Sequence, residues 1–385
     1  MLSLQGVVDF RNANIAIFFG FETHLIFILS ELTFYFMSDF LLSALLRDWY
    51  ADHKRELPWR ETRDPYKIWI SEIILQQTRV QQGLDYYNRF IHRFPDIHSL
   101  AEAPLDEVLK YWQGLGYYSR ARNLHAAAQQ VEADFGGVFP HTYETILTLK
   151  GIGGYTAAAI ASFAYDLPCA VLDGNVYRVL ARLFASATPI DTTQGKKEFQ
   201  LLADTLLDPR YAAIHNQAIM ELGALQCTPV SPDCDNCPLK DHCMAFAENR
   251  VAEFPVKQGK TKIRERWFYY FLIEEGNFLY LHQRTDKDIW SHLYEFPLIE
   301  TDHAVTFEEL CRSESFYHLL GKEVFEIAPL WSRKHILSHQ HIHALFYRVK
   351  SEGIRSLSDS YIRIHKDDLE KYPVSRLTHL CIEQL

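Results

Sequence analysis

The sequence predicts a multidomain protein: a mainly α-helical region up to about Asn249, followed by a separate α/β domain. Three observations support this division. The first region is rich in Ala and Leu and is broken at short intervals by Gly and Pro, which is typical of a chain of helices. A short basic stretch interrupts it, and runs of β-branched and aromatic residues follow. With 385 residues, of which 48% are apolar, the chain can bury more than one core.

The N-terminal segment is apolar and aromatic but carries acids within its apolar run. Asn14–Met37 is long enough to span a membrane, yet Glu22 and Glu31 interrupt it, and a buried acid is costly in lipid. A sequence of soluble type begins directly after Met37. We therefore interpret residues 1–37 as an extension with a misassigned start, with a membrane anchor as the alternative, and we expect no membrane partner.

The first predicted helices lead to an isolated acid. Ser38–Tyr50 places Leu and Trp side chains on one helical face, and Asp64 followed by Pro65 is typical of an N-cap and a first helical position. The helix that follows contains IWISEIILQQTRV, in which Glu72 has apolar neighbours on both sides. Such surroundings raise the pKa of a carboxyl group and favour a proton donor. An exposed acid paired with Arg79 is the alternative.

A glycine-rich turn between two helices is the central motif of the first region. Tyr143–Leu149 and Thr156–Phe163 both predict helices, and Gly151, Gly153 and Gly154 between them allow a tight turn. Such a hairpin directs free backbone N–H groups and a helix N-terminus at one point. This arrangement suits a phosphate oxygen.

Asp173 follows this hairpin, at the end of an apolar run and directly before Gly174. Two carboxylates in different environments, one protonated and one ionised, are what cleavage of a glycosidic bond requires. Glu72 and Asp173 therefore form a candidate pair acting on a nucleotide sugar. For Asp173 a plain turn or N-cap aspartate is the alternative.

Four of the seven cysteines cluster with the spacing C-x6-C-x2-C-x5-C, namely Cys227, Cys234, Cys237 and Cys243. Disulfide scaffolds are usually short and dense in cysteine throughout, so a bound metal or cluster in a reducing compartment is favoured. Zinc modules more often use two C-x2-C pairs, and only one is present. A cubane iron–sulfur cluster fits equally well, so the spacing alone leaves both open.

The net charge of −10 argues against binding of nucleic acid by bulk charge, so any such site must be a local basic patch. Residues 255–266 are predicted to be a basic linker. In Gly114–Arg122, Tyr117 stands on a glycine-flanked loop near Arg120. One interpretation is a tyrosine wedge between bases with arginines near phosphate, and the other is a pair of core tyrosines.

The α/β domain follows this linker. Trp267–Ile273 and Phe278–His282 predict paired strands, and His341–Val349 predicts another strand. A capping box at Thr306 predicts a helix that runs towards Leu320.

Together these segments resemble the helix-hairpin-helix DNA glycosylase superfamily, and within it the adenine DNA glycosylases of the MutY family. The resemblance covers about Leu57 to Leu385. Its most specific pieces are LPWR, SEIILQQT, GLGYYSRARNLH, LKGIGGYTAAAI, LDGNVYRV, NQAIMELGALQC and the four-cysteine loop. It implies a helix-hairpin-helix glycosylase domain over 38–254 with a [4Fe–4S] loop at 227–243. It further implies a Nudix-like domain over 267–385 that recognises 8-oxoguanine.

The resemblance also implies roles for individual residues. Glu72 would protonate N7 of adenine, and Asp173 would stabilise the sugar cation or bond to it. Tyr155 would assist from the hairpin and Asn175 would help to position the nucleophile side. The cluster ligands would be Cys227, Cys234, Cys237 and Cys243. The DNA contacts would be Gln77 and Tyr117 in the base stack once adenine flips out, Gly151 and Gly153 in the hairpin, Arg55, Arg60 and Gln217 around the adenine pocket, and Ser338 and His339 in the lesion-reading loop.

Tyr155 bears on the type of reaction. Endonuclease III, which resembles the family in fold, carries a lysine nucleophile two residues after the second hairpin glycine, where this chain has Tyr155. The resemblance therefore implies a monofunctional enzyme that removes adenine mispaired with 8-oxoguanine or guanine in duplex DNA. An endonuclease III-like enzyme acting on oxidised pyrimidines is one alternative. A non-catalytic iron–sulfur DNA-binding protein is another, in which Glu72 and Asp173 would be dispensable.

The second domain departs from the family's pattern at one position. The lesion-reading loop of the family is typically Phe-Ser-His, and this chain has Leu337-Ser338-His339. Four histidines alternate near this loop, but with no carboxylate evident nearby we expect no metal site there; they are His335, His339, His341 and His343. We expect a monomer bound to duplex DNA, in the bacterial cytoplasm and associated with the nucleoid through that DNA.

Overall fold

The computed structural model describes residues 41–259, 262–321, 326–351, 357–358 and 360–385. They fall into two compact units that are each discontinuous in sequence: residues 41–55 with Pro168–Val256, and Glu56–Leu167 with Lys257–Leu385. The predicted extension at 1–37 lies outside the described residues, and the predicted domain boundaries stay predictions. Among the residues described, no helix is both long and apolar enough to cross a membrane.

Helices dominate the chain from residue 41 to Ala247, which confirms the mainly α prediction for the first region. The first, α1, covers residues 41–53. The others are α2 (Pro65–Leu75), α3 (Val80–Arg93), α4 (Ile97–Glu102), α5 (Leu105–Tyr111), α6 (Ser119–Phe135), α7 (Tyr143–Leu147), α8 (Gly154–Tyr165), α9 (Gly174–Leu183), α10 (Thr193–Leu206), α11 (Ala212–Leu225) and α12 (Met244–Ala247).

Helix α2 begins as predicted but ends earlier. The Asp64 carboxylate accepts from the Tyr66 N–H at 3.0 Å and caps the helix. The helix stops at Leu75, because Gln77 adopts a left-handed conformation with φ +59°. The Arg120 guanidinium donates to the carbonyls of Ile73, Ile74 and Gln76 at 2.5, 3.1 and 2.6 Å. The free carbonyls of the last helical turn are therefore satisfied by a side chain that is distant in sequence. Arg120 is therefore not the phosphate contact that the sequence suggested.

The predicted hairpin of two helices is confirmed as α7 and α8, joined by a tight turn. Gly151 has φ +77°, and a Cβ there would lie 2.5 Å from the Asn123 Cβ, so only glycine fits. Gly153 is the N-cap of α8 and has no side-chain cap. A Cβ built on Gly153 would meet nothing within 4 Å. The first N–H groups of α8 therefore lack a capping side chain.

Where the structure describes it, the second region contains one mixed seven-stranded sheet and three short α-helices. The strands are β1 (Arg264–Glu275), β2 (Phe278–Gln283), β3 (Tyr294–Glu295), β4 (Leu298–Thr301), β5 (Glu326–Ile336), β6 (Gln340–Lys350) and β7 (Tyr361–His365), and the helices are α13 (Phe307–Cys311), α14 (Glu314–Leu320) and α15 (Arg376–Ile382). The main strand order is β3-β2-β1-β6-β5, with β4 paired to β1 and β7 paired to β2. Strands β1 and β6 are parallel, and the other pairs are antiparallel.

Strand β1 is apolar on both faces because helices cover both sides of the sheet. Phe268 and Tyr270 pack in one cluster with Leu377 of α15, and Phe271 packs in another with Phe316 of α14. The three predicted strands are confirmed as β1, β2 and β6.

The single helix predicted from Thr306 to Leu320 is wrong. Ser313 caps a new helix by accepting from the Phe316 N–H at 3.2 Å, so α13 and α14 are separate.

Candidate functional site

Glu72 lies on α2 with 7% of its surface exposed, so the alternative of a solvated surface acid does not hold. Its Oε2 accepts a hydrogen bond from the Tyr155 hydroxyl at 2.7 Å. Tyr155 stands in the first turn of α8, directly after the glycine turn, and α2 packs against α8. The fold thus joins a buried carboxyl group to the hairpin through one tyrosine hydroxyl.

Asp173 lies in the other unit and is the N-cap of α9, a position that leaves both a capping and a catalytic role open. Its Oδ1 accepts from the N–H groups of Asn175 and Val176, both at 2.8 Å. Its Oδ2 accepts from the Asn175 side-chain amide at 2.8 Å. Both carboxylate oxygens are therefore engaged by donors and act only as acceptors, which is the hydrogen-bonding pattern of the ionised form.

Two opposing effects act on the pKa of Asp173. Burial raises the pKa above its ordinary value, because water no longer solvates the charge. The donated hydrogen bonds from Val176 and Asn175 and the charge of Arg178 act in the opposite direction, and burial is the larger effect.

Arg178 connects Asn175 to the first cysteine of the cluster loop. Its Nη2 donates to the Asn175 Oδ1 at 2.9 Å and to the Gly223 carbonyl at 2.7 Å. Its Nε donates to the Cys227 carbonyl at 2.8 Å. Asn175, which donates to Asp173, is therefore connected through Arg178 to the start of the four-cysteine loop.

The four clustered cysteines line one small cavity together with Arg182. Arg182 Nη1 donates to the Cys227 Sγ at 3.3 Å and to the Thr228 carbonyl at 2.8 Å. Burial raises the pKa of the Cys237 thiol to about 11, and a hydrogen bond from the Leu239 N–H opposes this. These N–H donors are suited to sulfur atoms that carry negative charge.

The donor set of this cavity, four cysteine thiols, fits both a single zinc ion and an iron–sulfur cubane. Four thiols around a common cavity suit a cubane with one cysteine on each iron.

The residues expected around the adenine pocket divide between the two units. In one unit, Arg55 forms a two-point ion pair with Glu221, with contacts of 2.8 and 2.5 Å. In the same unit, Gln217 Oε1 accepts from the Tyr50 hydroxyl at 2.7 Å. Arg60 belongs to the other unit, at the end of a one-turn 3₁₀ helix.

Glu221 was missed by the sequence reasoning. It is fully buried on α11, and a single acid in an apolar helix is the same signal that drew attention to Glu72.

Gln77 and Tyr117 both occupy exposed turns with positive φ, +59° and +48°. Left-handed backbone at a residue other than glycine is costly, and such residues concentrate at functional sites. Arg120 holds both turns, because it donates to the carbonyls of Gln76 at 2.6 Å and Gly116 at 3.3 Å.

Ser338 and His339 form a tight turn between β5 and β6. The turn is closed by the Leu337 N–H, which donates to the Gln340 carbonyl at 2.8 Å. The Tyr117 and Ser338 hydroxyl oxygens lie 2.8 Å apart. The residue expected to enter the base stack and the residue expected to read the lesion are therefore hydrogen-bonded to each other.

The histidines near this turn differ from expectation in two respects. They do not share one strand, since His335 lies on β5 and only His341 and His343 lie on β6. The expectation that no carboxylate lies nearby is wrong, because Glu265 of β1 accepts from both His341 and His343. The cause is the parallel pairing of β1 with β6, which joins residues far apart in sequence.

Three family models match the chain. Residues 70–204 match the HhH-GPD superfamily of base excision DNA repair proteins, 227–243 match the iron–sulfur binding domain of endonuclease III, and 269–384 match the NUDIX domain. The choice between zinc and an iron–sulfur cluster is thus resolved in favour of the cluster, which confirms the [4Fe–4S] cofactor prediction. The predicted fold class is confirmed as well.

Individual relatives and a solved structure agree with these matches. The chain is 35% identical over 306 residues to the adenine DNA glycosylase of Buchnera aphidicola subsp. Baizongia pistaciae, across 77% of this chain and 87% of that protein. It is 43% identical over 209 residues to the adenine DNA glycosylase of Homo sapiens, across 52% of this chain and 38% of the human protein. A thermostable thymine-DNA glycosylase superposes with a TM-score of 0.51 and 29% identity, across 55% of this chain and 98% of that one.

Proposed function

The chain belongs to the adenine DNA glycosylase family of base-excision repair enzymes, and we propose that its substrate is adenine mispaired with 8-oxoguanine or guanine in duplex DNA. The proposal includes hydrolysis of the N-glycosidic bond without strand cleavage, by a monomer that acts on the nucleoid in the bacterial cytoplasm. The observation that carries it is the buried carboxyl group of Glu72 under the hydroxyl of Tyr155.

Glu72 is proposed as the general acid. The proposed step is that the carboxyl group, when protonated, donates to N7 of a flipped adenine as the glycosidic bond breaks. Tyr155 orients the carboxyl group through its hydroxyl. Because residue 155 is a tyrosine and not a lysine, this position offers no amine for a Schiff base, and the proposal is therefore a monofunctional enzyme.

Asp173 is proposed to stabilise the positive charge that develops on the sugar. Its two oxygens are fixed by donors from Asn175 and Val176, so the charge is already oriented before the bond breaks. Asn175 keeps this geometry through Arg178.

The four cysteines would hold the [4Fe–4S] cluster through their thiolates. Through a bound cluster these four residues would crosslink the loop between Cys227 and Cys243. Arg178 then links a fixed Cys227 carbonyl to Asn175.

The hairpin turn is proposed to bind a phosphate of the DNA backbone. Substitution of Gly153 is expected to affect DNA binding, and substitution of Gly151 is expected to affect stability. We expect Gly153→Ala to leave stability unchanged but to weaken duplex binding about tenfold, roughly 1.4 kcal/mol, because its Cβ meets no protein atom within 4 Å and would project into the space proposed for the phosphate. We expect Gly151→Ala to lower the free energy of unfolding by about 1–3 kcal/mol, since it combines positive φ with a clash at Asn123. Thermal unfolding measures the change in stability, and fluorescence anisotropy with a labelled duplex measures the change in affinity. Equal affinities of Gly153→Ala and wild type would contradict the phosphate site.

Ser338 is proposed to contact the base opposite adenine. Ser338→Ala is expected to reduce the preference for 8-oxoguanine over guanine about fivefold, the value of roughly one hydrogen bond. The ratio of dissociation constants for the two duplexes measures this, with Ser332→Ala, an exposed serine of β5, as the matched control. A ratio that shifts equally in both variants would contradict the assignment.

The substrate itself is tested by chromatography of the free bases released from a panel of duplexes. We expect adenine to be released fastest opposite 8-oxoguanine, more slowly opposite guanine, and least opposite thymine. Release of oxidised pyrimidines in place of adenine would contradict the proposed substrate and favour the endonuclease III-like alternative.

A further inference from the structure

A carboxylate on the outer face of the sheet holds two histidines of the neighbouring strand. Glu265 Oε1 accepts from His341 Nδ1 and Glu265 Oε2 accepts from His343 Nε2, both at 2.7 Å. Trp267 stacks on the His343 ring with centroids 5.0 Å apart. We call Glu265, His341 and His343 the carboxylate clip.

The clip lies directly beside the turn that carries Ser338 and His339. His341 is the second residue of β6, so only Gln340 separates it from His339. The same end of β1 also binds the turn itself, because the Arg264 N–H donates to the His339 carbonyl at 3.0 Å.

The opposite face of the sheet fixes the same strand end in another way. Arg266 is 3% exposed, and its Nη1 donates to the Gln340 Oε1 at 3.0 Å. Arg266 is also paired with Asp288 and Glu300, each at 2.6 Å. In that network Arg266 and Gln340 are buried, whereas Asp288 and Glu300 remain partly exposed. The clip is its solvent-side counterpart, and it can be removed without opening the core.

We propose that Glu265 is a positioning residue for recognition of the base opposite adenine, because the clip fixes the turn that presents Ser338 and His339. This inference rests on the proposed function of that turn. A turn with two central residues has little slack, so a shift of β6 against β1 moves both side chains.

The electrostatics are consistent with a firm clip. The hydrogen bonds from His341 and His343 hold the pKa of Glu265 at about 2, so the carboxylate stays ionised at neutral pH and accepts at both oxygens. Lys334 of β5 adds a positive charge 3.7 Å from Oε2. A carboxylate that accepts two such bonds restricts both rings to one orientation each.

The test removes the Glu265 carboxylate and compares this variant with removal of a matched carboxylate that contacts the far end of β6. Glu326 of β5 pairs with Lys350 of β6 at 3.0 Å, is exposed, and lies away from the turn in register. Glu265→Ala and Glu326→Ala are titrated with duplexes that carry 2′-fluoroadenosine, which resists cleavage, opposite 8-oxoguanine or guanine. We expect the preference for 8-oxoguanine to fall about fivefold in Glu265→Ala, as for loss of one charge-assisted contact at a half-exposed site, and to persist in Glu326→Ala.

A second measurement examines the turn without DNA. Hydrogen–deuterium exchange over residues 336–343 is expected to accelerate in Glu265→Ala and not in Glu326→Ala. If wild type prefers 8-oxoguanine and Glu265→Ala keeps that preference, the inference is overturned while the proposed function stands. If wild type itself shows no preference, the proposed role of the turn fails, and the inference fails with it. Unchanged exchange in Glu265→Ala also overturns it, because the clip then holds nothing.

Discussion

Glu72→Gln is expected to lower the single-turnover rate of adenine release by about 10³-fold, the size of a general-acid contribution. Glutamine has nearly the same shape and can still accept from the Tyr155 hydroxyl, so packing on α2 is kept. It cannot deliver a proton to the adenine ring. Duplex affinity should therefore remain close to wild type while base release is lost.

The matched control for this substitution is Glu107→Gln. Glu107 is a helical carboxylate that pairs with Arg93 at 2.6 and 2.8 Å, and it takes no part in the candidate site. Its turnover should equal that of wild type. Adenine release by Glu72→Gln at the wild-type rate would remove the catalytic assignment of Glu72. Absence of adenine release from wild type itself would favour the non-catalytic DNA-binding alternative.

Asp173→Asn is expected to reduce the same rate by about 10²–10³-fold, the effect of removing one preorganised electrostatic group. Asn caps helices about as well as Asp, so α9 should keep its start. The new amide, however, would direct N–H groups at the Asn175 side-chain amide, which now donates to Oδ2 at 2.8 Å. Rapid-quench measurement of base release at saturating enzyme gives the rate.

Asp64→Asn is the control for the cap, because Asp64 caps α2 in the same way and has no proposed catalytic role. The pH profile adds an independent check. Asp173 must be ionised, and burial raises its pKa, so wild-type activity should fall on acidification at a higher pH than an ordinary Asp would give. That acid limb should be absent from the residual activity of Asp173→Asn. An identical acid limb in both proteins would contradict the role of Asp173.

Local patterns in the sequence were sufficient for much of the fold. The hairpin of α7 and α8 followed from three glycines between two helical runs, and β1, β2 and β6 followed from runs of aromatic and β-branched residues. Such features depend on neighbours within a few residues. The break between α13 and α14 was missed because Ser313 competes as a cap within a helical pattern.

The features that the sequence did not predict depend on contacts between residues far apart in the chain. Arg120 binds the end of α2 through backbone carbonyls more than forty residues away, and no periodicity encodes that. The link from Arg178 to Cys227 has the same character. The clip needed the parallel pairing of β1 with β6, which brings Glu265 opposite His341. The isolated acid Glu72, by contrast, was visible at once, and Glu221 carried the same signal without being noticed.

The most direct test of the central claim is a single-turnover reaction on a duplex with adenine opposite 8-oxoguanine, analysed for strand breaks with and without alkali. The account predicts full adenine release and breaks that appear only after alkali, since Tyr155 supplies no amine for lyase chemistry. Breaks without alkali would contradict the monofunctional mechanism. Absence of adenine release from this duplex, with release from one that carries an oxidised pyrimidine, would contradict the account as a whole.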